Sequence, residues 1–332
     1  MNHSRNFEVG MQIVYRIFTI FGLNIFDPTY KVTWRTLCCI GLALFGNLNV
    51  FYTLFSHRNN FMMTLRCLCA APEAFQGVVK LFTIMKHGKM MASTIDFVRS
   101  VYRKNEQGGS GRLKVLEDCS AKLAYGMLET IFAFTGNNTC DLVLCILIIH
   151  ISLLVGIFKE ALNETKKLIG SESHVIRRSL RNCILMHQDL INYISAVNGI
   201  YSTTFFYQTA TASLSLALNC FCIVKTDWLG AYGFAVFSLM KIFTFCILGT
   251  FVEIMNNETL RTLTDFPWYL LPIDCQKMFY MSLMRSNKFS KLMIAKVAPL
   301  NVATGAEIIK AIYSYLMMLL NVQEKGNIYL EK

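Results

Sequence analysis

The stretch GAEIIKAIYSYLMMLLNV, residues 305–322, decides the fold class, because it is long and apolar enough to cross a membrane yet carries polar side chains. These polar residues are Glu307, Lys310, Ser314, Tyr315 and Asn321. Each costs free energy in hydrocarbon unless it has a partner or faces water. One face of this helix therefore either lines a water-filled path or forms a packing seam with other helices, and the spacing alone leaves both interpretations open.

The composition of the whole chain predicts a membrane protein. Of its 332 residues, 54% are apolar or aromatic and 16% are charged, and the mean hydropathy is +0.42. Soluble chains carry about 25% charged residues, so the excess apolar surface is expected to face lipid. The net charge of +11 comes from Lys and Arg residues that cluster between apolar runs. That distribution indicates membrane orientation and not nucleic-acid binding.

Six segments reach the roughly 20 apolar residues that a helix needs to cross a bilayer core of about 30 Å. They are 33–56, 61–86, 139–162, 194–224, 228–255 and the C-terminal helix quoted above. The apolar patch before them is interrupted by Arg16 and is too short to cross, which favours an amphipathic helix at the interface. The sequence thus predicts an all-α, polytopic transmembrane helix bundle.

The basic segments predict the orientation of this bundle. Lys and Arg are concentrated at 86–122, 159–181 and 261–296, which places these segments and the N-terminus in the cytoplasm. A further crossing is then needed between 115 and 138, where the apolar run 123–134 is short and carries Glu129. Either this run crosses as a tilted or compressed helix, or a third span is missing. We favour the second alternative.

The chain shows no pattern typical of an enzyme. It contains no HExxH, no GxSxG, no phosphate-binding glycine loop and no CxxC pair, so we predict neither catalysis nor a metal site nor a cofactor. His150 lies in the middle of a span and is interpreted as a hydrogen-bonded structural residue. Glu73, Lys80 and Lys241 also lie within spans, and we expect them to form polar clamps between helices.

The run FPWYLLPIDCQKMFYMSLMRSNKFSKLMIAKVAPLNVATGAEIIKAIYSYLMMLLNV, residues 266–322, carries a family resemblance. It combines an aromatic pair, a QK, an LMRS, a PLN and a Tyr-Ser-Tyr helix, and the similarity continues upstream through EAFQGVVKLFTIMKHGKM and HQDLINYISAVNGIYSTTFFYQ. In these features the chain resembles insect odorant receptors. Relatives are longer between KVLEDCSAKL and YGMLETIFAF, so the resemblance also places the short or missing third span there.

The resemblance implies a function. Members of the family are seven-helix subunits of odorant-gated, nonselective cation channels that bind small volatile apolar molecules and depolarise olfactory neurons. A tuning subunit combines with a co-receptor subunit in a hetero-tetramer, in the plasma membrane of olfactory sensory neuron dendrites and in contact with membrane lipid. The corresponding regions here are a cytoplasmic interfacial segment (1–32), the transmembrane bundle with cytoplasmic helical extensions (33–255), a cytoplasmic anchor (256–303), a pore-lining helix (304–322) and an external tail (323–332).

The same resemblance implies the site residues. The pore and its gate would be formed by Tyr315, Met318, Asn321 and Val322, and a ring of apolar side chains closes a narrow pore by dewetting. The odorant pocket would lie in the outer half of the bundle, lined by Ala71, Phe75, Leu142, Ile146, Tyr232 and Phe237. Asn137, in the sequon Asn137-Asn138-Thr139 at the predicted outer surface, would be the glycosylation site.

Three other functions are considered. A gustatory-type receptor channel shares the architecture, although the Tyr-Ser-Tyr and PLN details favour the odorant branch. A metabotropic G-protein-coupled receptor is disfavoured by the cytoplasmic N-terminus and by the absence of DRY and NPxxY tracts. A membrane enzyme is disfavoured because no set of titratable residues converges.

Overall fold

The computed structural model describes residues 3–20, 22, 33–106, 108–132, 139–287 and 291–330. Within them the helices are α1 (His3–Ile20), α2 (Trp34–Ser56), α3 (Phe61–Asn105), α4 (Ser110–Phe132), α5 (Thr139–Lys167), α6 (Ser173–Lys225), α7 (Gly230–Thr264), α8 (Ile273–Ser286) and α9 (Val302–Leu330). A short 3₁₀ turn (Trp268–Leu270) precedes α8, and the strands β1 (Met293–Ile294) and β2 (Ala298–Pro299) pair antiparallel before α9.

Six of these helices are long and apolar enough to cross a membrane, namely α2, α3, α5, α6, α7 and α9. They cover the six segments predicted from the sequence to within two residues at each end, so that prediction is confirmed. Three of them are much longer than a span requires: α3 has 45 residues, α6 has 53 and α7 has 35. These three helices therefore continue as amphipathic helices beyond the predicted spans.

Helix α4 occupies the place of the short or missing third span. It is continuous over 23 residues, or about 34 Å at 1.5 Å per residue. It packs antiparallel on α5, because Val115 meets Gly156 and the Arg112 guanidinium Nε donates to Glu164 Oε1 at 3.0 Å. A helix is therefore present at this place, but it is not among the six candidate spans found in the described residues, which agrees with the prediction of six clear spans with a third span short or missing.

The register of α5 explains how the basic segments remain on one side. Asp141, at the start of α5, pairs with Lys80 of α3 at 2.7 Å and accepts a hydrogen bond from Gln208 of α6 at 3.0 Å. Lys80 lies about 28 Å along α3 from Phe61, and Gln208 about 25 Å along α6 from Lys225. The start of α5 thus lies beside the middle of α3 and α6. The contact between the start of α4 and the end of α5 keeps the basic segments 86–122 and 159–181 at the same end of the bundle.

The end of the bundle that carries the basic segments, called the inner part here, has one large apolar core formed mainly by α1, α3, α4, α5 and α6. Phe7, Met11, Val14 and Phe18 follow one another at helical spacing on one face of α1 and are all buried. The ring of Phe7 stacks on Tyr102 with centroids 4.8 Å apart. Helix α1 is therefore amphipathic, as expected, and its apolar face is covered by other helices of the same chain.

The opposite end of the bundle, called the outer part here, is formed by α3, α6, α7 and α9, with α2 on its periphery. Two smaller apolar clusters lie here, one centred on α6, α7 and Ile312 of α9, the other on α3, α6 and the start of α7. Helix α2 packs on α3, where Asn47 Nδ2 donates to the Ala74 carbonyl at 3.3 Å. None of the most apolar window of α2 is buried in the protein, so this helix is left to face lipid.

The segment after α7 folds back on α6. The ring nitrogens of the buried His187 lie 2.9 Å from the hydroxyls of Ser282 and Ser286 on α8, and Phe158 stacks on the same ring. The β1–β2 hairpin is tied to α6 by Ala295 N, which donates to the Ser202 carbonyl at 3.1 Å. These contacts fix the start of α9 against the bundle.

Candidate functional site

An ion pair joins α3 to α7 inside the bundle. Lys241 of α7 pairs with Glu73 of α3 and also donates to Gln76 Oε1 at 2.8 Å. Both charged side chains are buried, with 9% of Lys241 and 13% of Glu73 exposed. Their burial makes the pairing necessary, because a single buried charge within a membrane is costly.

A second ion pair lies two turns further along α3, toward the inner part of the bundle. Lys80 and Asp141 form a 2.7 Å pair, and Gln208 Nε2 donates to the other oxygen of Asp141. The two pairs are linked through Gln76, whose Nε2 donates to Thr211 Oγ1 on α6 at 2.6 Å, and through Thr211, whose hydroxyl donates to the carbonyl of Gln208 at 3.2 Å. We call this set of seven side chains the charged network; it contains Glu73, Gln76, Lys80, Asp141, Gln208, Thr211 and Lys241.

The charged network confirms that the intramembrane charges act as clamps between helices. Its two acids and two bases sum to zero charge, so no uncompensated charge is buried. Glu73 and Lys80 bind different partners, Lys241 and Asp141. Asp141, Gln76 and Gln208 were not among the residues predicted from the sequence. A signal existed for all three, since each is a polar residue inside an otherwise apolar run.

His150 is a buried structural residue, as predicted. Its Nδ1 lies 2.6 Å from the Ile146 carbonyl, so this nitrogen carries the proton and donates. The ring meets Phe7 and Tyr102 edge to face, with centroids 5.3 and 5.8 Å away. The imidazole therefore belongs to the inner apolar core that holds α1 on the bundle.

The predicted pore residues share the exposed side of α9. Tyr315, Met318 and Val322 are spaced three and four apart on one stripe and are 53%, 49% and 64% exposed. Asn321 beside them is also exposed. The adjacent side of α9 packs through Ile312 against α6 and α7. A single chain therefore leaves this stripe uncovered.

The start of α9 is fixed closely to α7. Val302 N donates to Thr250 Oγ1 at 3.0 Å, and a Cβ at Gly305 would lie 2.7 Å from Cys246 Sγ. Gly249 of α7 lies against the Leu300 carbonyl so closely that any Cβ there would overlap it. The two helices approach at glycine, and a displacement of α7 would therefore move the beginning of α9.

The six predicted odorant-binding residues lie in three places. Leu142 and Ile146 are buried in the inner apolar core, below the level at which α5 begins. Ala71 and Phe75 lie on the outer half of α3, where the Phe75 ring contacts Tyr207 of α6 at 6.3 Å. The two remaining residues, Tyr232 and Phe237 on α7, are 52% and 37% exposed. Two of these residues make aromatic contacts. Phe75 contacts Tyr207 of α6, and the centroid of the Phe237 ring lies 4.4 Å from Lys241 Nζ.

One prediction and one cleft concern other parts of the chain. Asn137, the predicted glycosylation site, lies outside the described residues. A cleft of about 610 Å³ lies between the C-terminal ends of α5 and α7, lined among others by Lys159, Lys166 and Arg261. None of the six predicted odorant-binding residues lines this cleft, so it is separate from the predicted odorant site.

Comparisons with known proteins agree with this architecture. The fold is similar to that of the insect olfactory receptor OR5 from Machilis hrabei, with a TM-score of 0.74 and 12% sequence identity over 96% of this chain and 100% of that chain. The same receptor in complex with eugenol gives a TM-score of 0.73 at the same coverage. At this identity, the likeness establishes the fold alone.

Two curated relatives are similar in sequence. A putative odorant receptor 83c of Drosophila melanogaster is 30% identical over 153 residues, which is 46% of this chain and 38% of that protein. The odorant receptor coreceptor of Aedes aegypti is 20% identical over 161 residues, or 47% of this chain and 34% of that protein. The matched part of the chain thus spans little more than a third of each relative's length.

The family model described as "7tm Odorant receptor" matches residues 121–313, which is 193 of the 332 residues. The matched region begins within α4 and runs through the charged residues of α5, α6 and α7 into the predicted pore helix. This family and fold are those of membrane receptors and not of enzymes. The chain belongs to the 7tm odorant receptor family.

Proposed function

We propose that this chain is the ligand-binding subunit of an odorant-gated, nonselective cation channel. It binds small volatile apolar molecules and assembles with a co-receptor subunit as a hetero-tetramer in the plasma membrane of olfactory sensory neuron dendrites, which it depolarises. The observation that carries the proposal is the uncovered stripe of Tyr315, Met318 and Val322 on α9, in a chain of the odorant receptor family. Such a stripe is available to meet the same helix of neighbouring subunits around a pore.

The contacts of α7 support a path from ligand to pore. Its outer half carries Tyr232 and Phe237, its middle carries Lys241 of the charged network, and its inner half lies against the start of α9. A ligand held between α3 and α7 would act on the Glu73–Lys241 pair and on the position of α7. It opens the channel only if it binds the open arrangement more tightly than the closed one, since equal affinity shifts nothing.

The gate in this proposal is apolar. Met318 and Val322 would meet their counterparts at the symmetry axis and exclude water, while Asn321 would replace part of an ion's hydration once the ring widens. The N-terminus is cytoplasmic, in agreement with the basic segments at 86–122 and 159–181. Ala71, Phe75, Leu142, Ile146, Tyr232 and Phe237 remain the proposed ligand contacts.

Patch-clamp recording after co-expression with an odorant co-receptor subunit tests the proposal, with eugenol included in the odorant panel because the similar receptor was solved with it. We expect inward currents that require both subunits. Met318→Ala should alter gating or ion selectivity, whereas the matched control Met240→Ala, which is 60% exposed on α7, should leave both unchanged. Unchanged currents in Met318→Ala would contradict the pore assignment.

Cysteine accessibility provides a test of the same face that does not depend on finding the best odorant. Met318→Cys and Val322→Cys should react with aqueous thiol reagents while the channel is held active, because both positions would then border water. Val236→Cys, on an exposed face of α7 that we assign to lipid, is the control and should react slowly. Equal, slow reaction at all three positions would refute a water-lined path along α9.

A further inference from the structure

The gate in the proposed channel carries no charge that could select cations. Met318 and Val322 are apolar, so a ring of them closes a pore by dewetting but does not distinguish cations from anions. The basic segments 86–122, 159–181 and 261–296 lie at the inner end of the bundle, where their charge attracts anions. A cation path that opens at this end therefore needs negative charge on its own lining.

Glu307 lies on the same stripe of α9 as the predicted gate. It precedes Met318 by three helical turns, so the two side chains point about 20° apart, with Glu307 about 16 Å further toward the inner part of the bundle. Ala311 lies one turn from Glu307 and one turn from Tyr315, and it is also exposed. The stripe that α9 leaves uncovered thus continues inward and carries a carboxylate near its inner end.

The charge on Glu307 is accessible to ions. Its side chain is 72% exposed, and its Oε1 accepts a hydrogen bond from Lys310 Nζ at 2.9 Å. Lys310 is equally exposed, and an ion pair between two exposed side chains contributes little free energy, so a passing cation can compete with it. Lys310 points about 80° away from Met318, off the stripe. Among residues 302–322, Glu307 is therefore the charged residue that the stripe presents.

The contacts of α9 with α7 fix the position of Glu307. Val302 N donates to Thr250 Oγ1 at 3.0 Å, and Gly305 lies against Cys246. Both contacts are within two turns of Glu307, so they set its level in the bundle. Gly305 and Glu307 point about 200° apart on the helix, so the carboxylate lies outside the contact between α7 and α9.

We propose that Glu307 sets the preference of the channel for cations over anions, with one carboxylate from each copy of this chain at the inner mouth of the pore. The inference rests on the proposed function, because it needs α9 to line the pore of an assembly. Rings of Asp or Glu provide selectivity in cation channels. In water, a unit charge about 5 Å from an ion changes the local concentration of that ion about fourfold.

The test records unitary currents in inside-out patches from cells that express the full chain with a co-receptor subunit, opened by an odorant that activates the native channel. At low salt, Glu307→Gln should lower the unitary conductance about two- to fourfold and shift the reversal potential in a sodium chloride gradient toward that of chloride. Both changes should shrink in 1 M salt, where charges are screened. Glu307→Asp keeps the charge and should behave as the native chain. Glu258→Gln removes a paired, 41% exposed carboxylate of α7 and should change neither quantity.

A purely structural role for the ion pair would give a different pattern. If Glu307 acted only by holding Lys310, then Lys310→Gln would lower the conductance as well, whereas an electrostatic role predicts no such loss because the carboxylate remains. Glu307→Cys tests the charge in a channel that has already folded. A negatively charged methanethiosulfonate reagent applied to the inner side should restore the native conductance, and a positively charged one should lower it further. The native chain treated in the same way is the control for the other cysteines.

Equal conductance and equal reversal potential in the native chain and in Glu307→Gln would overturn the proposal. A lowered conductance in Lys310→Gln would also overturn it, as would an identical effect of the two reagents on Glu307→Cys. Odorant-gated currents that do not respond to the charge at position 307 contradict only this inference. A native chain that gives no odorant current with a co-receptor contradicts the channel proposal itself.

Discussion

The Glu73–Lys241 pair provides a quantitative test of how the bundle is held together. Lys241→Met removes the charge but keeps an unbranched side chain of similar length in the bundle. Glu73 would then be a buried carboxylate without its cation, and the Gln76 Oε1 would lose the donor at 2.8 Å. Removal of one partner from a buried ion pair costs about 3–5 kcal/mol, since water does not replace the lost charge. We expect this loss in the free energy of unfolding.

The exposed pair Lys310–Glu307 is the matched control for that experiment. Both side chains are 72% exposed and three residues apart on α9, so Lys310→Met should cost only about 0.2–0.5 kcal/mol. Stability is measured as the temperature at which detergent-solubilised protein loses its monodisperse peak in size-exclusion chromatography. The double variant Glu73→Gln/Lys241→Met should recover much of the loss, because it leaves no unpaired charge. The reasoning would be refuted if the stability losses of Glu73→Gln and Lys241→Met simply added in the double variant. Equal losses for Lys241→Met and Lys310→Met would refute it as well.

Two further substitutions test the helix contacts that position the site. Gly249→Ala would place a Cβ against the Leu300 carbonyl, so it should lower thermal stability and ligand-gated current. Gly233→Ala, with open space around it, should change neither. Equal behaviour of the two variants in the stability assay and in recordings would contradict the close approach of α7 and α9. Phe7→Ala should cost about 3–5 kcal/mol of unfolding free energy because the ring is 1% exposed, whereas Val9→Ala, at a residue 51% exposed, should cost little in the same assay; a small loss for Phe7→Ala would show that α1 is not part of the core.

Much of the helix layout was predictable from the sequence, and the reason is local. A run of roughly 20 apolar residues has one stable arrangement in a bilayer, so residues 33–56 or 228–255 report their own structure without help from distant residues. The exposed stripe on α9 was predictable for a similar reason, since Met318 and Val322 share a face by helical geometry alone. In both cases the physical cause lies within one helix.

The charged network was predictable only in part. The sequence predicts polar partners for Glu73, Lys80 and Lys241, because each lies inside an apolar run. Their identities could not be derived, since Lys241 and Glu73 are 168 residues apart in the chain and meet only through tertiary packing. The same limit affected α5: its register depends on the pair between Lys80 and Asp141, and a helix of that sequence fits several depths until this contact is formed.

The register of α5 has a consequence for the proposed ligand site. Since Asp141, in the first turn of α5, lies beside the middle of α3, the described part of α5 does not reach the outer halves of α3, α6 and α7. Phe237 lies against Lys241 of the Glu73–Lys241 pair, and Phe75 pairs with Tyr207 between α3 and α6. Leu142 and Ile146, the proposed ligand contacts on α5, lie in the inner core. In the proposed function, a ligand bound among α3, α6 and α7 would contact the helix that reaches α9, so its binding energy would act on the position of α7.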